Sequence, residues 1–253
     1  MRSVLVLLLM TLSAGMSQDV KLSDAQALEI GRRIWKNESG GTVSGLTAWN
    51  AGEQFASLGI AHFIWYPKGK RGPFEESFPR LADYLASQGV PVPGWLRGPC
   101  PWQSRSEFTA DFQSARMLQL RRLLKDTIGW QARFAALRLE RALPKVLSAA
   151  PIADRDRIRM NFYRVAREPL GLYALMDYVN FKGEGVSPRE RYRGQGWGLL
   201  QVLELMPATG AAIPGFVQAA DKVLTRRVAN SPPARGEAKW LAGWRNRLNT
   251  YLN

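Results

Sequence analysis

The chain has 253 residues and a mass of 28.3 kDa, which suits one large domain and excludes a disulfide-held mini-protein. Hydrophobic residues make up 46% of it, enough to bury a core, so wholesale disorder is also excluded. The 35 Lys and Arg residues outnumber the 21 Asp and Glu residues, and the net charge of +14 favours a polyanionic partner. Nucleic acid, an anionic membrane surface and an acidic cell-wall polymer all have the required charge.

The first residues have the pattern of an export signal. Arg2 precedes an apolar run over residues 4–12, and small residues follow, with a cleavage point after Gly15 or Ser17. The run is shorter than the roughly 20 residues that a membrane-spanning helix needs. We therefore expect residues 1–17 to be a signal peptide and the mature protein to be periplasmic or secreted, with an uncleaved anchor or a buried helix as the alternatives. Export makes cytosolic nucleic acid a poor partner.

The chain has one cysteine, Cys100, and one histidine, His62. A single cysteine excludes an intrachain disulfide. Because a His/Cys zinc site needs three or four such ligands, that kind of site is excluded as well. We expect neither a metal nor a cofactor.

The first structural elements are a helix and a hairpin. Ser23 and Gln26 form a capping-box pattern, which predicts a helix that runs to about Lys36 and stops at Gly40. Short β-prone runs at residues 46–49 and 54–58 flank a turn at 50–53, which is typical of a β-hairpin.

The rest of the chain is predominantly helical in pattern. The predicted helices cover residues 78–88, 106–143 with a kink at Gly129 and a stop at Pro144, 153–167, 172–181, 196–206, 215–229 and 233–252. The fold class is therefore mainly α, with a small N-terminal hairpin packed on a helical bundle. We expect one domain over residues 18–253, with a hairpin-bearing lobe at about 18–100 and a helical lobe at about 101–253.

Glu38 is the first candidate for chemistry. It continues the apolar face of the first helix, beside Trp35 at the helix's C-terminal end. The negative pole of the helix and a nonpolar wall both disfavour an ionised carboxylate, so we expect its pKa to be raised. A protonated carboxylic acid is what a glycosidase uses to protonate the departing oxygen. A solvated glutamate after a helix end is the simpler alternative.

The order of elements around Glu38 resembles the phage-type lysozymes of the lysozyme superfamily. In that family a catalytic glutamate ends the first helix, and a hairpin follows with an Asp and then a Thr-Ile-Gly-x-Gly-His segment. Residues 57–62, Ser-Leu-Gly-Ile-Ala-His, are similar to that segment, with Ser57 at the threonine position and His62 at the histidine. Residues 174–183 and 228–235 are similar to the family's central helix and closing segment. The resemblance implies an α+β lysozyme-like fold with a peptidoglycan-cleaving site.

One departure from the family concerns the second carboxylate. Residues 39–61 contain no Asp, and the only carboxylate there is Glu53. Either Glu53 supports the oxocarbenium ion or activates water, or Glu38 acts alone in a lytic transglycosylase reaction in which the sugar's own hydroxyl is the nucleophile. Ser57 is then a candidate for orienting water or substrate, with a plain strand serine as the alternative.

Two further residues are candidates for binding substrate. His62 belongs to the segment that resembles the family, although a lone histidine on a strand more often has a structural role. Trp197 lies between glycines, and aromatic rings stack on the apolar faces of sugars, but core packing is equally compatible with its sequence.

Three functions fit these observations. The first is an exported peptidoglycan glycosidase, a hydrolase or a lytic transglycosylase that cleaves β-1,4 bonds with Glu38 as general acid. The second is a non-catalytic relative that binds cell-wall glycan, which the missing Asp favours. The third is a basic protein that binds anionic surfaces. In all three the positive charge favours approach to an anionic wall.

Overall fold

The structure is a computed structural model that describes residues 22–253. The predicted signal peptide at residues 1–17 lies outside this range. The mainly α fold with a small antiparallel sheet is confirmed. The helices are α1 (Asp24–Ser39), α2 (Phe78–Ser87), α3 (Arg105–Ala110), α4 (Ala115–Asp126), α5 (Ile128–Ala149), α6 (Arg155–Ala166), α7 (Gly171–Lys182), α8 (Leu199–Leu205), α9 (Ala212–Asn230) and α10 (Leu241–Asn249).

The ends of α1 form as the sequence predicts. The Ser23 side chain accepts a hydrogen bond from the Gln26 amide, and the Gln26 side chain accepts one from Ser23, completing the capping box. Gly40 ends the helix in the left-handed conformation, with φ of 64°. The helix nevertheless continues to Ser39, three residues beyond the predicted Lys36, so Glu38 is part of its last turn.

The first hairpin lies where the sequence predicts it, and a third strand pairs with it to form a small sheet. Strands β1 (Thr47–Ala48), β2 (Ala56–Leu58) and β3 (Phe63–Trp65) pair antiparallel in that order, with Ser57 opposite Ala48 on one side and opposite Ile64 on the other. His62 lies in the turn between β2 and β3, so its predicted strand position is wrong.

The prediction of one continuous helix over residues 106–143 is wrong. Three helices, α3 to α5, occupy this region, and Ser104 and Ser114 cap the first two by accepting hydrogen bonds from Glu107 and Met117 amides. One break lies at residues 111–114, and the second lies at Thr127 rather than at Gly129. Pro144 does not stop α5, which continues to Ala149. An amphipathic pattern that persists through short turns does not by itself reveal the breaks.

A single hydrophobic core joins the hairpin region to the helices. It runs from Leu22 through Trp65 and Leu139 to Tyr251. Helix α1 packs mainly on α5 and also contacts α7. A second hairpin, β4 (Arg191–Tyr192) paired with β5 (Gln195–Gly196), occupies the glycine-rich segment before α8, where the sequence predicted no strands. No helix within residues 22–253 is long and apolar enough to cross a membrane.

Candidate active site at the end of the first helix

Glu38 lies where three parts of the chain meet. Its Oε1 accepts a hydrogen bond from Asn180 of α7 at 2.9 Å and another from Arg247 of α10. Its Oε2 lies 3.4 Å from Nδ1 of His62, in the turn after β2. The side chain retains 13% of its exposure, so it is largely enclosed but still reaches the surface.

Arg247 is shared by two carboxylates. Besides contacting Glu38, it donates from Nε and Nη2 to the two carboxylate oxygens of Asp177, each at 2.8 Å. Asp177 is fully buried and also accepts a hydrogen bond from the Tyr251 hydroxyl at 2.7 Å. We call Glu38, His62, Asp177, Asn180 and Arg247 the Glu38 cluster.

The expected rise in the pKa of Glu38 is wrong. Burial alone would raise this pKa, but the charges of Arg247 and His62 and the hydrogen bonds from Arg247 and Asn180 lower it below its ordinary value. The sequence argument considered only the helix end and the nonpolar wall. It missed Arg247, which is 209 residues further along the chain.

The turn that carries His62 is fixed to α5 and α4. Gln131 of α5 is completely buried, and its Oε1 accepts a hydrogen bond from the Ile60 amide at 3.0 Å. Gly59 is required beside it, because its φ is 76° and a Cβ would lie 2.4 Å from that same oxygen. Arg121 of α4 donates to the Thr47 hydroxyl at 2.8 Å, which anchors β1. These bonds hold the hairpin against the helices and so bring His62 to Glu38.

His62 has two unusual features. Its φ of 49° places a non-glycine residue in the left-handed region, a conformation that persists only where the surroundings enforce it. Its Nε2 is buried and has no hydrogen-bond partner in the described part of the chain. Because Nδ1 lies 3.4 Å from a carboxylate oxygen of Glu38, a proton on Nδ1 can be donated to Glu38.

Glu53 and Ser57 form a separate group on the first hairpin. Glu53 Oε2 accepts from the Ser57 hydroxyl at 3.4 Å and from Asn50 Nδ2 at 3.1 Å. Ser57 is buried within β2, whereas the Glu53 side chain is half-buried at the turn. The structure thus brings the two candidates together, but their hydrogen-bond partners are different from those of Glu38.

Trp197 is placed in the interior rather than in a groove. It is 8% exposed, one ring contact is with Tyr192 at 4.6 Å between centroids, and the Arg227 guanidinium lies 4.1 Å from its ring centroid. These contacts cover most of the ring and leave little of it open to a stacking sugar, and the role of Trp197 in substrate binding stays a prediction.

Asp177, Asn180 and Arg247 were not singled out as functional from the sequence. Asp177 and Asn180 are spaced three apart on the mostly apolar helix α7, so they share a face, and this spacing was a usable signal. Nothing in the local sequence marks Arg247 among the other arginines. Residues 22–253 contain no group of three His, Cys, Asp or Glu side chains able to hold a metal ion.

Comparisons of the chain with protein-family models, with curated proteins and with solved structures give no match.

Proposed function

We propose that this protein is an exported peptidoglycan glycosidase that cleaves β-1,4 glycosidic bonds, with Glu38 as the acid. The observation that carries the proposal is the sharing of Arg247 by two carboxylates. When Glu38 takes up a proton, Asp177 still neutralises Arg247, so no lone charge is left buried. Glu38 is therefore a carboxylate that can gain and lose a proton without disrupting its surroundings.

The position of Glu38 also supports this role. A general acid must reach the substrate oxygen, and Glu38 keeps an exposed edge between the first hairpin and the helices. Its lowered pKa means that the carboxylate form predominates at neutral pH. We therefore expect cleavage to speed up as the pH falls below neutral, because the protonated fraction of Glu38 then increases.

The role of Glu53 distinguishes hydrolysis from transglycosylation. In the hydrolytic reaction, Glu53 activates or orients the attacking water, with Ser57 holding its carboxylate. In the lytic reaction, Glu38 first donates its proton to the leaving oxygen and then, as a base, accepts the proton of the sugar hydroxyl that attacks the anomeric carbon. Both reactions need Glu38, and only the hydrolytic one needs Glu53.

The test is solubilisation of purified peptidoglycan sacculi by the protein and by two matched variants. Glu38→Gln preserves shape and removes the acid, whereas Glu29→Gln changes an exposed glutamate on the same helix. We expect Glu38→Gln to lose about 100-fold or more in rate, in line with the contribution of a general acid. Glu29→Gln is expected to keep the full rate. Equal rates for both variants would contradict the proposal, provided that both give the circular dichroism of the parent.

A second candidate, a glycan-binding protein without catalysis, is favoured by one observation. The ionised Glu38 is fully engaged with Asn180, His62 and Arg247, as in a structural ion-pair cluster. Binding of sacculi without release of soluble products, by both the parent and Glu38→Gln, would support this candidate over the first.

A further inference from the structure

A polar cavity lies beside the second hairpin, away from the residues of the Glu38 cluster. Its volume is about 390 Å³, within the usual size range of small-molecule sites. The hairpin β4–β5 contributes Arg191, α8 contributes Glu204, and α9 contributes Arg226. Apolar side chains of Pro151, Leu200 and Leu205 line the rest.

The carboxylate of Glu204 is unpaired. Glu204 is half-buried, and its side chain makes no hydrogen bond or ion pair with any residue between 22 and 253. Burial raises its pKa and Asp154 adds to this, while the positive charges of Arg157, Arg191 and Arg226 oppose it. Three guanidinium groups therefore act on Glu204 electrostatically, and none of them contacts its carboxylate; Arg157 donates to the Glu204 backbone carbonyl instead.

The arginines at the cavity are also incompletely satisfied. Arg226 Nε is buried and without a partner among the described residues, and its Nη2 makes one long bond to the Gly196 carbonyl at 3.5 Å. Arg191 is exposed, and within residues 22–253 its side chain bonds only to the Gly194 carbonyl, at 3.3 Å. A buried donor without a partner is costly, so such groups often mark the place where a ligand or a water is bound.

The backbone beside these arginines makes a tight turn. Arg193, at the tip of β4–β5, has φ of 50°, followed by Gly194 at 75°. Two successive residues with positive φ between paired Tyr192 and Gln195 form a tight two-residue hairpin turn. The tight tip positions Arg191 and Gln195 at the rim of the cavity.

From these observations we infer that the cavity binds a zwitterion, such as the ammonium and carboxylate groups of an amino acid or a short peptide. Glu204 receives the ammonium group, and Arg191 and Arg226 receive the carboxylate. A simple anion would leave the Glu204 carboxylate without a partner, and a simple cation would leave the two arginines without one. The apolar lining accommodates an aliphatic segment between the two charges. This site does not depend on the proposed glycosidase activity.

The test uses alanylalanine, in its L,L and D,D forms, and two derivatives that each lack one charge. N-acetyl-alanylalanine keeps only the carboxylate, and alanylalanine amide keeps only the ammonium. Binding is followed by NMR through the amide signals of residues 191–196 and 204. We expect at least one form of the dipeptide to shift these signals and both derivatives to bind about tenfold more weakly or worse.

Two variants make the assignment specific. Glu204→Gln removes the carboxylate and its repulsion, so we expect weaker binding of the dipeptide and stronger binding of its N-acetyl derivative than in the parent. Glu168→Gln, at an exposed glutamate after α6, is the matched control and should bind like the parent. Because Arg191 is exposed, Arg191→Gln is a second variant that should fold, and it should weaken the binding of both carboxylate-bearing probes.

Several results would overturn the inference. These are the absence of shifts with either form of the dipeptide, equal binding of the dipeptide and its two derivatives, and binding that is unchanged in both Glu204→Gln and Arg191→Gln. None of these readouts involves peptidoglycan cleavage, so failure of this test leaves the proposed function untouched.

Discussion

Two largely buried glutamates of this protein are hydrogen-bonded to arginines. They differ in their exposure and in their other contacts. Glu38 is bound by Arg247, and Glu237 is bound by Arg227 through two hydrogen bonds of 2.7 and 2.9 Å. Glu237 is 1% exposed and also accepts a hydrogen bond from the Tyr192 hydroxyl at 2.8 Å. In both cases, burial would raise the pKa of the carboxyl group, but the surrounding donors and charges lower it below its ordinary value.

The comparison shows that an arginine-paired, buried glutamate is not by itself a sign of catalysis. Glu237 connects the segment after α9 to the second hairpin through its hydrogen bonds and has no exposed edge. These features indicate a structural role. Glu38 keeps an exposed edge, contacts the strained His62, and shares its arginine with Asp177. These three differences are the reason for assigning chemistry to Glu38 alone.

The largest expected effect comes from Arg247→Met. This change leaves Asp177 and Glu38 buried without a cation, and breaking a buried ion pair costs about 3–5 kcal/mol. Urea unfolding at neutral pH should show a loss of this size. Arg235→Met is the control, because the Arg235 side chain is 55% exposed and its ion pair with Glu237 is worth little. Equal stability losses in the two variants would contradict the proposed importance of the shared arginine.

Arg247→Met should also change the pH dependence of cleavage. Arg247 lowers the pKa of Glu38, so its removal should raise that pKa and move the decline of activity at rising pH to a higher pH. The measurement is the pH–rate profile of the folded fraction. A profile that stays in place or moves to lower pH would argue against Glu38 as the acid.

Glu237→Gln should have an intermediate effect, confined to stability. Because the folded pKa of Glu237 is lowered, its carboxylate stabilises the fold above the unfolded pKa of about 4.3, and this contribution is lost as the pH falls through the lower folded value. We expect a loss of about 1–3 kcal/mol at pH 7 that shrinks towards acid pH, with activity per folded molecule unchanged. Reduced activity of the folded variant would contradict the purely structural role proposed for Glu237.

The smallest effect concerns Lys182, which is influenced electrostatically by Arg247 of the Glu38 cluster and by the Arg227–Glu237 pair. Its Nζ is 3.4 Å from the ring centroid of Trp244 and 3.9 Å from that of Phe181. Burial lowers the pKa of Lys182 to about 6; Arg227 and Arg247 add to this, and Glu237 opposes it.

Between this pKa and the unfolded value of about 10.4, the unfolded chain binds the additional proton, so stability rises with pH. From pH 7 to pH 8, we expect the free energy of unfolding of the parent to rise by about 1 kcal/mol more than that of Lys182→Met. Parallel curves for the parent and the variant would show that Lys182 keeps its proton in the folded protein.

The parts of the fold that follow local rules could be predicted from the sequence. The capping box of α1, the stop at Gly40 and the first hairpin depend on residues close together in the chain, and all three are confirmed. The break after Ala110 is followed by the Ser114 cap of α4, and the break at Thr127 has no side-chain cap; a continuous amphipathic pattern hides both.

Only part of the candidate site could be predicted from the sequence. Glu38 and His62 were found because they lie in adjacent elements of one local pattern, and the structure does bring them within 3.4 Å. The sign of the Glu38 pKa shift depends on Arg247, a partner that only the tertiary fold supplies. For the same reason the sequence could not show that Arg227 covers the ring of Trp197.

The most direct test of the central claim is mass spectrometry of the soluble products released from peptidoglycan sacculi by the parent protein and by Glu38→Gln. The parent should release muropeptides with one type of end, reducing ends for hydrolysis or anhydro ends for transglycosylation, and Glu38→Gln should release neither. If the folded Glu38→Gln variant releases the same products in the same yield, Glu38 is not the catalytic acid and the proposed mechanism is wrong.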